Sequence, residues 1–559
     1  MSNSAIEKAM QFIENETQFH LGFLPTEQSS PLTRDMDKEF ASSVPAGVRN
    51  LQSVDRNVLA MAKNIFTSPN FKKLAVQGEK VIRNGGRIVF SGCGATGRLS
   101  ILLESMWRKC CDELPGAEPY ANQVFSIMTG GDFALVKSVE FFEDYQIFGR
   151  RQVQELDLNS NDMLVAITEG GETSSVLGTL FEALDRNCQT FLLFNNPADL
   201  LVKHLERSKK AISDPRVCVL DLYCGPMALA GSTRMQATTS EQLVAGAALE
   251  TIMCSLTGRE IPSYLAGFEQ LLNELESPDN VQAMADYIVF ETGLYKKKAY
   301  VTYFADDYML DIFTDTTERS PTFMLPPFRK NDDAVSPRPW AFVKNPRFTT
   351  SQTWQNAMHR TLRCLEWKSE DYTAMDAPDA LRKNPPEINS CELLKFEIGL
   401  ESPEDRTPGG NDAAVLMTIG NQQHCELEKA FNEVADKFAA IRRFNIGQTE
   451  NGDFNILCNI NDSPLQLMYH MAVKLVLNTI STGSMAVMGR VTSNWMSWVN
   501  LSNKKLMDRG IRLVSEIGKI DYKSACIKIY EALEELEKVH DRSQEATSVV
   551  QYVLKRLQK

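Results

Sequence analysis

The 559-residue sequence predicts an α/β fold: two three-layer α/β/α domains with parallel sheets, arranged in tandem as a pseudo-dimer, with helical segments at both ends. Three observations predict it. Short apolar runs alternate with helical patterns, which is the signature of parallel strands covered on both faces. Polar, glycine-rich loops follow three of those runs, where open sheets bind ligands beyond the carboxyl ends of their strands. The two halves also share segments of similar length and character, and a chain this long is expected to split into more than one core.

The elements follow in order. Residues 1–70 read as a helical and irregular segment. A first domain spans 71–265, where FKKLAVQGEKVIRN leads as a helix into the strand RIVF, and QVFSIM, DMLVAI, TFLLF and RVCVLDL supply further strands. A second domain spans 266–500, with strands KKKAYVTYF, DAAVLMTIG and DFNILCNI and a long apolar helix from about 464 to 489. Within it, 326–411 is rich in Pro, Asn and Asp and reads as an insertion. Residues 501–559 form an amphipathic helical lid.

The repeat can be stated residue by residue. QLVAGAALETIM (242–253) matches KLVLNTISTGSM (474–485) in length, apolar character and polar first residue. YVTYFADDYMLDI (300–312) can be laid over IVFSGCGATGRLS (88–100). The glycines of the first turn are then absent, and Asp306 and Asp307 occupy the turn, where two carboxylates repel a phosphate. One anion site is expected to persist and its twin to be lost.

Composition excludes several classes. A net charge of −13 with no dense Lys/Arg run argues against nucleic acid. No uncharged apolar run reaches the ~18 residues of a membrane span, and the N-terminus lacks a signal-peptide core, so a cytoplasmic protein is expected. The twelve cysteines are scattered and no CxxC occurs, so reduced thiols and no metal site are expected.

Three loops carry the chemistry. In GCGATGR (92–98), glycines let backbone N–H groups approach an anion, and the following helix start adds about half a positive charge. Gly94, Ala95, Thr96, Gly97 and Arg98 are the candidates here. A GxGxxG turn also suits a dinucleotide or mere packing, but the ribose-binding acid expected about 20 residues on, at the next strand's end, is missing. No cofactor is expected. TEGGETSS (168–175) offers Thr168, Gly170, Thr173 and Ser174 before a helix, as a phosphate cradle or an N-cap. GSTRMQATTSEQ (231–242) repeats the pattern with Ser232 and Thr233.

GCGATGR, TGGD (129–132) with EFFED (140–144), and LAGSTRM (229–235) resemble the sugar isomerase (SIS) domain family. More narrowly, they resemble its branch of N-acetylmuramic acid 6-phosphate etherases and glucokinase regulatory proteins. KLVLNTISTG with SNKKLM (502–507), and SSPLTRDMDK (29–38), are similar to the same branch. The likeness runs in patches over about 24–265, 297–325 and 465–510. The length matches the regulatory plan of two SIS domains plus a helical lid.

The resemblance implies two glutamates near the sugar. One maps to Glu140 or Glu143, the latter favoured. The other maps to Met106 in the first half, which cannot move a proton, and to Glu318 in the second. Glu318 and Lys474 would then reach the first half's loops across the internal interface. Alternatively Glu143 is a solvated residue, Glu318 caps a helix or pairs with Arg319, and Lys474 snorkels to water. The resemblance implies a sugar-phosphate sensor whose ligand changes its engagement with a sugar kinase, or else an etherase using Glu143 and Glu318 as acid and base. The loops depart from the etherase pattern, which has a serine at Gly170 and Cys-Pro at Arg319-Ser320.

Overall fold

A computed structural model describes residues 3–139, 141–401, 410–421 and 424–558. Two five-stranded sheets, every pairing parallel, form its two centres. The first sheet holds β1 (Ile88–Gly92), β2 (Val124–Met128), β3 (Met163–Ile167), β4 (Gln189–Phe194) and β5 (Val217–Asp221), in the order β2-β1-β3-β4-β5. The second holds β6 (Val301–Phe304), β7 (Ala341–Lys344), β8 (Ala413–Ile419), β9 (Ala440–Gly447) and β10 (Phe454–Leu457), in the order β7-β6-β8-β9-β10. Read from its own first strand, each sheet has the order 2-1-3-4-5. The expected repeat is therefore present as topology.

All five strands expected in the first sheet form. In the second, β7 and β9 are additional to the sequence reading. The 326–411 segment, read as an insertion, supplies β7. It also lays residues 359–372 along the first domain. Arg360 and Arg363 of that stretch meet Glu104 and Asp132, and Trp367 stacks on Phe142 and Phe148.

The helices that place the site are α1 (Ala95–Glu113), α2 (Ser174–Asp185), α3 (Gln236–Thr257), α4 (Met309–Phe323), α5 (Leu467–Val487) and α6 (Lys504–Gly518). Helices α1 and α4 follow the first strand of each sheet. Helices α3 and α5 follow the last strand of each, and pack against one another. Both are apolar nearly all round, as a helix buried between two layers must be. Burying an aliphatic side chain contributes ~1.5–3 kcal/mol, so this doubly apolar seam fixes the two domains as one core.

The N-terminal strap and the C-terminal tail close the first domain's loop end. Thr33 donates to the carbonyl of Ala228, and the Asn494 amide donates to the Ser30 carbonyl and to Thr33. Glu27, buried, receives Arg509 and Arg512 from α6. Burial alone would raise its carboxyl, but the two guanidiniums hold it near about 2. All twelve cysteines are free. Among the described residues, no helix is long and apolar enough to cross a membrane.

Candidate functional site

Beyond the carboxyl ends of β1, β2 and β3 lies a cavity of about 470 Å³. Its floor is made by two helix starts. The turn after β1 ends at Gly94, whose φ of +57° favours glycine, and α1 begins at Ala95. Gly92 is held to glycine for a different reason: a Cβ there would sit 2.3 Å from the Thr96 carbonyl carbon. Thr173 caps α2. Gly94, Ala95 and Thr173 all line the cavity, so two positive helix ends face it.

The loop before α3 supplies Ser232 and Thr233 to the same wall. The Ser232 hydroxyl is buried with no hydrogen-bond partner among the described residues, and so is that of Thr317 on α4. A buried hydroxyl left without a partner costs ~1–3 kcal/mol, and both residues face the cavity. A bound ligand or water would satisfy them.

The second half enters through α4. Glu318 lines the cavity and pairs with Arg98 of α1, across the internal interface. Arg319, its sequence neighbour, turns the other way into a buried network with Asp315 and Glu291. From the tail, Lys505 of α6 pairs with Glu143 at 2.6 Å, and Asn503 donates to the same carboxylate at 3.3 Å. Burial opposes the charge on Lys505, but Glu143 and Glu172 keep its pKa above the ordinary lysine value. Gln544, Glu545 and Ala546 complete the rim, with Glu545 accepting from the Trp340 indole at 2.6 Å.

Of the residues singled out from sequence, Gly94, Ala95, Glu143, Thr173, Ser232, Thr233 and Glu318 meet at this cavity. Glu140 lies outside the described residues. The others are placed differently. Thr96 turns back, donating to the Cys93 carbonyl and accepting from its N–H, so its hydroxyl closes the turn. Gly97 packs on Met128. Arg98 spends its guanidinium on the carbonyls of Ala134 and Leu135 and on Glu318. Thr168 donates to Thr173, the Gly170 carbonyl accepts from Asn196, and Ser174 is buried behind the wall.

Lys474 is the clearest correction. Its ammonium donates to the Arg234 carbonyl at 2.9 Å and to Thr239 at 2.8 Å, within a small void behind Glu318. Burial, together with nearby Arg234, brings its pKa down to about 7. It ties α5 to the start of α3 and neither reaches the main cavity nor snorkels to water.

Two further wall residues carry chemistry that the sequence reading passed over. Lys505 lies within SNKKLM, but its partner Glu143 is 362 residues earlier in the chain. Glu169 sits among the hydroxyl residues of TEGGETSS and lines the cavity. It is 8 % exposed, and burial pushes its carboxyl up to about 7.

Residues 72–184 match the family model "Glucokinase regulatory protein N-terminal SIS domain". The chain is 28 % identical over 276 residues to an N-acetylmuramic acid 6-phosphate etherase of Petrotoga mobilis, covering 49 % of this chain and 83 % of that one. It is 32 % identical over 224 residues to the Yersinia pestis protein of the same name, covering 40 % of this chain and 68 % of the relative. Among solved structures, tagatose-6-phosphate ketose/aldose isomerase from Escherichia coli aligns at 10 % identity with a TM-score of 0.44, over 82 % of this chain and 96 % of that one, a likeness too loose to argue from.

Proposed function

The chain belongs to the sugar isomerase (SIS) domain family, in the branch of N-acetylmuramic acid 6-phosphate etherases and glucokinase regulatory proteins, and from that premise we propose that it binds a hexose or amino-sugar 6-phosphate in the cavity between its two halves, as a regulatory sensor. The observation that carries this reading is the joint lining of one cavity. Two helix N-termini and two hydroxyls without a partner among the described residues, Ser232 and Thr317, suit a phosphate. Glu143 and Glu318 stand ready to accept sugar hydroxyls. The twin turn at Asp306-Asp307 has carboxylates where the first has glycine, which supports a single phosphate site per chain.

Each of the two glutamates is matched with a cation, Lys505 or Arg98. Such pairing fixes the direction in which each carboxylate points, which suits recognition of sugar hydroxyls. Sensing would then act through the tail. Lys505, Asn503 and Glu545 belong to the C-terminal segment, so a ligand touching Glu143 changes what that segment grips. A sugar kinase is the partner class this reading expects.

Etherase chemistry is the second reading. It is favoured by the convergence of Glu143 and Glu318 on one cavity and by relatives named as etherases. Cleaving a lactyl ether needs one group to take the C2 proton and another to protonate the leaving oxygen. Incubation with N-acetylmuramic acid 6-phosphate separates the two. The sensor reading expects binding without lactate release. Lactate release that is lost in Glu143→Gln and Glu318→Gln would replace it with the enzyme.

A further inference from the structure

The cavity wall carries four carboxyls, and three of them are matched with cations. Glu143 has Lys505, Glu318 has Arg98, and Glu545 on the rim has Arg490. Glu169, the fourth, makes no ion pair among the described residues. Its carboxyl receives one long hydrogen bond, 3.3 Å from the Thr238 hydroxyl.

The charged and titratable groups around it come from every element packed on its loop. Lys505 of α6 is the one that favours its ionised form most. Glu318 of α4 and Glu143 oppose it. Glu241 of α3, buried nearby, is itself raised well above the usual carboxylate range, by burial first and by the Glu169 charge second. Arg98 of α1 and Cys93 in the preceding turn also feel its field. Burial and like charge thus both work against ionisation, while no cation is close enough to reverse them.

Glu169 also lies in the loop that runs from β3 into the N-terminus of α2, the end offered to a phosphate. A sugar phosphate is a dianion at neutral pH. Bound between α1 and α2, it would add two more negative charges to this field, and an ionised Glu169 with no cation of its own would repel it.

Resting on the sugar-phosphate reading above, we propose that Glu169 takes up one proton from solvent when a phosphate-bearing ligand occupies the cavity, so that occupancy is linked to pH. The protonated carboxyl then donates a hydrogen bond into the cavity where its ionised form could only accept. A site built this way senses ligand and acidity together.

Calorimetric titration with fructose 6-phosphate at pH 7.5, in two buffers of different ionisation enthalpy, counts the protons. The expected result is uptake of about half to one proton per ligand, and a Kd that rises by up to about tenfold per pH unit from 7 to 8.5. Glu169→Gln should bind with no uptake and a Kd flat across that range, whereas Glu169→Asp, which keeps a titratable group, should retain uptake. Wild-type binding with no proton exchange overturns the proposal while leaving the sugar-phosphate reading intact. The same uptake in Glu169→Gln also overturns it. No binding of fructose 6-phosphate, glucosamine 6-phosphate or inorganic phosphate to the wild-type chain overturns the underlying reading instead.

Discussion

The turns after β1 and β6 occupy equivalent places in two sheets of identical order, yet they have opposite electrostatics. After β1 the backbone itself is the functional group. Gly94 adopts a positive φ, α1 starts at once, and the wall is open to a ligand. After β6, Asp306 and Asp307 fill the corresponding turn and the non-glycine Tyr308 takes the left-handed conformation, with φ of +52°. The carboxylates there are matched from inside the chain: Asp307 by Lys109 of α1 and Asp306 by Arg347. A cavity persists beside them, lined by Met106 where the first site has Glu318. The two turns share the fold, but where the first leaves backbone open to a cavity the second is filled by ion pairs. Parallel-sheet topology is thus indifferent to what its loops bind, and a few turn residues decide it.

The comparison can be broken most severely at the Arg98–Glu318 pair, which crosses the interface inside the cavity. Arg98→Ala leaves Glu318 without its partner and frees the carbonyls of Ala134 and Leu135. We expect a loss of about 3–5 kcal/mol in stability, measured by chemical denaturation, and loss of sugar-phosphate binding. Arg98→Lys should recover only part, because an ammonium cannot serve two carbonyls and a carboxylate in one plane.

Transplanting the second turn's charge into the first comes next. Gly94→Asp sets a carboxylate at the phosphate cradle, on a backbone that disfavours side chains. Binding of fructose 6-phosphate should weaken by about 100-fold or more, read by calorimetry. Lys505→Ala should weaken it by about tenfold and broaden the exposure of the tail, since an unpaired Glu143 then faces the ligand. Hydrogen exchange across 500–546 would report the second effect.

A pH experiment sharpens the picture through stability alone. Glu169 holds its proton up to about 7 in the folded chain, against an ordinary value of 4.5. Between those two pH values the folded state binds more protons than the unfolded one, so stability falls as pH rises through this window and levels off above it. Glu169→Gln should remove that part of the slope. The contribution of Asp55, raised by burial to about 6, has the same sign and should remain. Denaturation midpoints at pH 5 and pH 7.5 for both proteins are the check. The smallest effect belongs to the eroded turn: Asp307→Gly removes a half-exposed pair with Lys109 and should change stability by no more than about 1 kcal/mol, with ligand stoichiometry still at one.

Much of this was legible in the sequence where the signal was local. The five strands of the first sheet are continuous apolar runs ended by glycine-rich turns. The strands β7 and β9 were not legible. WAFVK is short and sits in a Pro-rich stretch, and β9 carries Arg442 and Arg443 and buries only its second half. Glu318 could be assigned to the first half's pocket because the repeat gave its position and a paired architecture supplied the direction. Lys474 was misassigned for the same reason: position on α5 says which helix faces the interface, not which acceptor lies nearest. Glu169 was passed over because a carboxylate beside a phosphate loop reads as a spacer. Its environment comes from burial and from Glu143 and Glu318, distant in the chain, which no local pattern encodes.

The central claim is that one ligand site is shared between an intact half and a worn one. A structure of the chain with fructose 6-phosphate tests it most directly. The account predicts one ligand, its phosphate at the N-termini of α1 and α2 within reach of Ser232 and Thr317, and its sugar between Glu143 and Glu318. A ligand seated at the Asp306-Asp307 turn, or one in each half, would contradict it.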